Sequence, residues 1–256
     1  MSMKRNVKNT KLAIVAIVLL SVSVFGGLLL KGVLYELFNP EFKETTIFPD
    51  DGSDSPSDTT FYVNGIEVKM IGVKSGKINC KGFRKTIELP DFYIGETEVT
   101  QELWMSIMGE NPSIHNDSLL YPVENIDLEE CLEFVHKLDS VSGIKFYVQS
   151  YPEWLYVVHL GNMYANTSCF DDSMSWLKGN SGNTTHTVKQ KMPNSLGIYD
   201  LIGNVSEWTI SGSDPLFFVM GGSYESDGVQ CDLDTRETDH ANVKTESLGL
   251  RLVCYP

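Results

Sequence analysis

Apolar residues fall along this chain in several distinct rhythms. Residues 12–30, LAIVAIVLLSVSVFGGLLL, run nineteen positions without a charge. At about 1.5 Å per residue, that run covers most of a hydrocarbon core about 30 Å thick. Residues 35–60 lose periodicity and end in FPDDGSDSPSDTT, the Asp, Ser and Pro-rich composition of a solvated linker. Three stretches then become helical in period. In EVTQELWMSIMG, Thr100 serves as N-cap with Glu102 in the first turn. Val99 and Trp104 form a hydrophobic staple, Gly109 closes the end, and Leu103, Trp104, Ile107 and Met108 make the buried stripe. In IDLEECLEFVHKLDSVSG, Asp127 caps with Glu130 at N3, and Leu128, Cys131, Leu132, Val135 and Leu138 recur at helical spacing. SYPEWLYVVHLG repeats the device, Ser150 and Glu153 forming a capping box ahead of Trp154, Val157 and Val158. From residue 161 the texture changes to Gly, Asn, Ser and Asp with isolated aromatics, which predicts short strands and long irregular loops.

Charge gives the first apolar run a direction. Lys4, Arg5, Lys8 and Lys11 precede it with no acid, and Glu36, Glu41 and Glu44 follow, so the positive-inside bias keeps the N-terminus cytoplasmic. A cleaved signal peptide would need the apolar core to end near Phe25, yet the run continues through Leu28, Leu29 and Leu30 with no obvious A-x-A-like site. The organisation predicted is a basic cytoplasmic tail at 1–11, a single-pass signal anchor at 12–34, an acidic linker at 35–60 and one extracytoplasmic domain at 61–256. All five basic residues of the first 35 stand there without acids, leaving 15 basic against 34 acidic beyond them, a formal −19. Such a domain repels nucleic acid and anionic lipid and attracts cations and basic partner surfaces.

Common catalytic motifs are absent: no H-E-x-x-H, P-loop, G-x-G-x-x-G or G-x-S-x-G occurs. DLDTRETDHANVK begins like an EF-hand loop, but Glu237 stands where the loop needs glycine. Cys80, Cys131, Cys169, Cys231 and Cys254 form no C-x-x-C, and their odd number leaves at least one unpaired within the chain. PNSLGIYDLIGNVSEWT is the least accidental stretch. Asp200 and Glu207 supply hard carboxylate oxygens across a turn that Gly203 frees to adopt unusual backbone angles, so carbonyls could converge on a cation such as calcium. In the alternative, Glu207 caps a turn and Trp208 fills the core.

That stretch, with FYIGETEVTQELWMSIMGENPS and YPVENIDLEECLEFVHKL before it and GGSY and LGLRLV after it, resembles the sulfatase-modifying factor family. The founding activity of that family is the formylglycine-generating enzyme. The blocks stand in family order over residues 66–256. The resemblance implies an α+β fold, related to C-type lectins, with little regular secondary structure. It implies a calcium loop at Asp200, Gly203, Val205 and Glu207, with Gly203 and Val205 contributing carbonyls. A second calcium site would fall in 162–180, where the pattern is too altered to assign ligands. The family enzyme binds Cu(I) through two cysteines five residues apart, just after GGSY, and oxidises a substrate cysteine with O₂. Counting from GGSY, the second matches Cys231 and the first matches Ser226. A hydroxyl is a hard ligand, so copper is expected only if the chain is nonetheless an enzyme. Ser223 and Arg251 match family positions of the cleft, whereas Ser206 and FYVQSYPEW depart from the pattern. Relatives without the cysteine pair are thought to be structural parts of cell-surface or secretion assemblies. The expected function is therefore a non-catalytic, membrane-anchored binding or scaffold module with protein partners at the cell surface. The alternative is a formylglycine-generating oxidase or a related enzyme in the same cleft, with Cys231 as its remaining thiol and Cys169 as a stand-in for the missing one.

Overall fold

The computed structural model describes residues 42, 44–52, 54–81, 83–161, 172–210, 217–227 and 241–256. The chain divides into two units, Met1–Phe42 and Lys43–Pro256. The expected cytoplasmic tail and anchor lie outside the described residues, and no helix among the described residues is long and apolar enough to cross a membrane.

At the centre of the second unit is a five-stranded antiparallel sheet in the order β2 (Thr59–Val63), β3 (Ile66–Val73), β6 (Phe92–Gly95), β11 (Leu252–Cys254), β7 (Phe146–Val148). Successive side chains of a strand point to opposite faces, and here both faces are covered. Val68, Met70, Leu252 and Cys254 join the core beneath α1 (Gln101–Met108) and α2 (Leu128–Ser142). Ile71, Val73, Phe92, Ile94 and Val253 face the other core, built around α3 (Tyr151–Leu160). This double burial explains why LRLV carries no alternation: all four of its residues are buried.

The helices begin and end where their caps predict. Thr100 accepts from Leu103, Asp127 and Ser150 each complete a reciprocal box with Glu130 and Glu153, and Gly109 and Gly143 adopt left-handed C-caps. Each such N-cap contributes about 1 kcal/mol. Helix α1 buries Trp104, stacked on Phe134 of α2 at 4.8 Å between ring centroids. Four of the five positions expected for the α2 stripe, Leu128, Cys131, Val135 and Leu138, are buried, and only Leu132 is not. Leu132 is 51% exposed and Phe134 is buried, because Leu128, Cys131, Phe134, Val135 and Leu138 define the inner face and Leu132 turns about 100° past Cys131. Helix α3 is buried nearly all round, from Tyr151 through Val158.

The expected linker at 35–60 requires correction. Within it Thr46–Pro49 form β1, an edge strand antiparallel to β4 (Gly76–Asn79), which in turn pairs with β5 (Ile87–Leu89). Ile47 packs against the α3 core, and Pro49 is tolerated because an edge strand has one side without a ladder. The ordered domain thus starts ahead of residue 61. The short strands expected after residue 161 are present as a small sheet, β10 (Leu248–Gly249), β8 (Ser206–Ile210), β9 (Phe217–Met220). Trp208 of β8 fills the core, as the alternative reading of that stretch had it, its indole donating to the Ile126 carbonyl at 3.0 Å.

Candidate functional site

Three of the resemblance-derived residues converge beneath the turn that leads into β8. Arg251, fully buried, donates through Nε (2.9 Å) and Nη2 (2.7 Å) to Oε1 of Glu207, itself fully buried. The same guanidinium reaches the Gly95 carbonyl at 3.0 Å and the Tyr199 carbonyl at 2.8 Å. Gln149 donates to the other Glu207 oxygen. Glu207 thus has a protein partner on each oxygen. Asp200 differs. Its Oδ2 accepts the Lys189 amide at 2.9 Å, while its buried Oδ1 has no partner. Burial pushes its carboxyl up to about 6.

The turn between them depends on Gly203, whose φ is +83° and where a Cβ would lie 2.2 Å from the Trp176 carbonyl oxygen. No other residue fits that approach. Asn204, also at positive φ, ties the turn to His186 through both its amide atoms, accepting at 2.9 Å and donating at 3.3 Å. Val205 is buried.

The GGSY segment packs directly on this turn. Gly203 donates to the Gly221 carbonyl (3.1 Å) and Tyr224 to the Asn204 carbonyl (3.0 Å). Ser223 and Ser226 close a turn of their own. The Ser226 amide donates to the Ser223 carbonyl (2.9 Å) and the Ser223 amide to Ser226 Oγ (3.0 Å). Ser223 Oγ accepts the Glu225 amide at 3.2 Å. Ser226 Oγ is therefore a turn-closing acceptor in the place the resemblance assigns to a metal-binding thiol. Cys231 and Cys169 lie outside the described residues.

Sequence reasoning missed Glu98, Glu124 and Gln149. Glu98 is 2% exposed and neither of its oxygens receives a hydrogen bond from another residue. Burial, then the nearby Asp200, holds its carboxyl well above the usual range. Glu124 accepts the His115 amide at 2.8 Å, while its Oε2 is unpartnered, and burial raises it to about 7. Glu98 stands in sequence among Glu96, Thr97, Thr100, Gln101 and Glu102, so nothing along the chain singled it out.

The model of the sulfatase-modifying factor enzyme 1-like domain matches residues 57–255. The chain belongs to that family. Among solved structures, the sulfatase-modifying factor domain is similar to Treponema denticola variable protein 1, with 26% identity, a TM-score of 0.66, and coverage of 79% of this chain and 100% of that one. PvdO from Pseudomonas aeruginosa shares the fold at 16% identity and a TM-score of 0.64, covering 80% of this chain and 100% of PvdO. A curated relative, described as chaperone protein LppX of Paenibacillus barcinonensis, is 28% identical over 48% of this chain. The alignment spans 63% of that relative's length.

Within this sulfatase-modifying factor domain the donor set is divided. Asp200 offers an unpartnered oxygen to a cation, whereas both oxygens of Glu207 are already engaged, one by Arg251 and the other by Gln149. Among the described residues, no group of three or more His, Cys, Asp or Glu side chains is arranged to hold a metal ion. Ser226 offers an oxygen already engaged by an amide.

Proposed function

We propose that this chain is a non-catalytic binding or scaffold module of the sulfatase-modifying factor family, held outside a membrane by residues 12–34. The observation that carries this reading is Ser226. At the position matched to the first copper ligand, its hydroxyl closes the Ser223–Ser226 turn, and Cu(I) requires soft thiolates rather than a hard oxygen. A domain that has kept its fold while a hydroxyl replaces a ligand works by what it holds. The description of the Paenibacillus relative as a chaperone protein is in keeping with such a role. Calcium at the Asp200 turn belongs to the same reading, supported by the unpartnered Oδ1 of Asp200 and opposed by the Arg251 pairing of Glu207.

The test is to supply the full chain in detergent with Cu(I), O₂ and a peptide bearing a sulfatase-type cysteine motif, then to weigh the peptide by mass spectrometry. The expected outcome is an unchanged peptide, with Ser226→Cys raising Cu(I) affinity. Conversion of the peptide cysteine to formylglycine, abolished by Cys231→Ala, would establish the oxidase in place of the scaffold.

A further inference from the structure

Between α1 and α2 the chain makes a compact loop, residues 111–122, whose two ends are held by one side chain. Gln101 of α1, fully buried, accepts from the Asn111 side-chain amide at 2.8 Å and donates to the carbonyls of His115 at 2.7 Å and Pro122 at 3.1 Å. Backbone bonds from Gln101 to Tyr121 and from Glu102 to Leu119, both 2.9 Å, lay the returning limb along the start of α1. Glu124, also fully buried, accepts the His115 amide at 2.8 Å. Surface loops with their ends clasped in this way are compact and frequently functional.

What this fastened loop presents to solvent is apolar. Ile114, Leu119 and Leu120 are 58, 47 and 49% exposed, and they make up three of the ten large apolar side chains that stand exposed among the described residues. Single exposed apolar residues are ordinary, whereas a cluster of them marks an interaction face. Because buried hydrogen bonds already fix the backbone, little conformational entropy is lost when a partner seats on it.

The charges around the loop have one sign. No lysine or arginine stands between Lys85 and Lys137, and α1 with its loop carries Glu102, Glu110 and Asp117. Lys189 is brought alongside, since the Val188 amide donates to the Leu120 carbonyl, but its ammonium is engaged by Glu96 at 2.5 Å. A second copy of this acidic chain, or an anionic lipid surface, would bring like charge to the face, and a basic surface would bring the opposite.

We infer that residues 114–120 form a docking face for a basic protein partner, one that offers aliphatic side chains to Ile114, Leu119 and Leu120 and lysine or arginine to the surrounding carboxylates. This role rests on the reading of the chain as a binding module, and it involves neither Ser226 nor Cys231.

The full chain in maltoside micelles, with empty micelles as blank, is titrated at low ionic strength with a dye-labelled, capped hexapeptide alternating leucine and lysine, and fluorescence anisotropy is read. Hexapeptides alternating leucine with glutamate, or serine with lysine, are expected to bind about tenfold more weakly or worse, the first for its reversed charge and the second for its lost apolar contact. Ile114→Ser, Leu119→Ser and Leu120→Ser together are expected to weaken the leucine–lysine peptide about tenfold, whereas Leu132→Ser with Val141→Ser, exposed apolar positions of α2, leave it unchanged. Glu110→Gln with Asp117→Asn, both exposed, is expected to weaken it and to reduce its dependence on salt. Circular dichroism checks each variant, and should the triple variant fail to fold, the exposed charge pair decides. No binding of the leucine–lysine peptide, equal binding of the three peptides, indifference to the loop variants, or an equal loss in the α2 variant would overturn the docking face. Self-association of the full chain that the triple variant abolishes would give the face to a second copy and overturn the basic partner. Formylglycine production alongside unchanged peptide binding would reject the non-catalytic reading alone, and absent peptide binding without turnover would reject the docking face alone.

Discussion

Replacing Glu207 by Gln leaves the shape of the buried cluster nearly intact and removes its charge. Arg251 then retains the carbonyls of Gly95 and Tyr199 but has lost the carboxylate that received both Nε and Nη2, in a place where both side chains are wholly excluded from solvent. Breaking one side of a buried pair costs about 3–5 kcal/mol, because the remaining charge is stranded. Against a total stability of about 5–15 kcal/mol, this is a large share. For a domain of this size, Tm should drop by roughly 6–20 °C. Urea unfolding followed by circular dichroism measures the loss, and the m-value should stay constant if only the native state has changed. Glu207→Leu combined with Arg251→Met should recover only the part due to the stranded charge, because it leaves the Gly95 and Tyr199 carbonyls and the Gln149 amide without their partners. A loss for Glu207→Gln below about 1 kcal/mol, the scale of a solvated surface pair, would refute the idea that this pair is the buried tie between β6, β8 and β11.

Further outcomes are expected elsewhere in the molecule. If calcium binds through Asp200, chelator lowers the melting temperature of the wild type and Asp200→Asn abolishes the difference, by about 2.7 kcal/mol at a hundredfold excess over the dissociation constant; identical melting with and without chelator denies the site. Burial raises Glu124 to about 7 in the folded state, above its unfolded value. Its contribution is therefore intact below the unfolded value and is lost as pH climbs toward 7. Glu124→Gln should flatten the urea midpoint between pH 4.5 and 8 and stabilise the protein at the alkaline end. The full chain should stay with membranes through an alkaline wash, and removal of residues 1–34 should release it; a soluble full chain would remove the anchor from the proposal.

Local rules carried much of this protein, as the caps show. Thr100, Asp127 and Ser150 start helices where the sequence says they must, because capping needs only residues three positions apart. The ordered blocks from EVT to LGLRLV pointed to the family that the comparison established. The turn glycine was legible too, since a Cβ at position 203 has no room. What sequence could not supply was the third dimension of its polar residues. Glu207 looks like a ligand when only its neighbours in the chain are known, and becomes the partner of Arg251, 44 positions away, once β11 is laid in the central sheet. Residues 46–49 look like linker because an edge strand carries little pattern of its own, and they become a strand because β4 presents an open side. Glu98 is an ordinary acid in sequence, and only the tertiary packing buries it without a hydrogen bond to either oxygen. Hydrogen bonds between distant segments are decided by how sheets and helices stack, and no spacing along the chain records them.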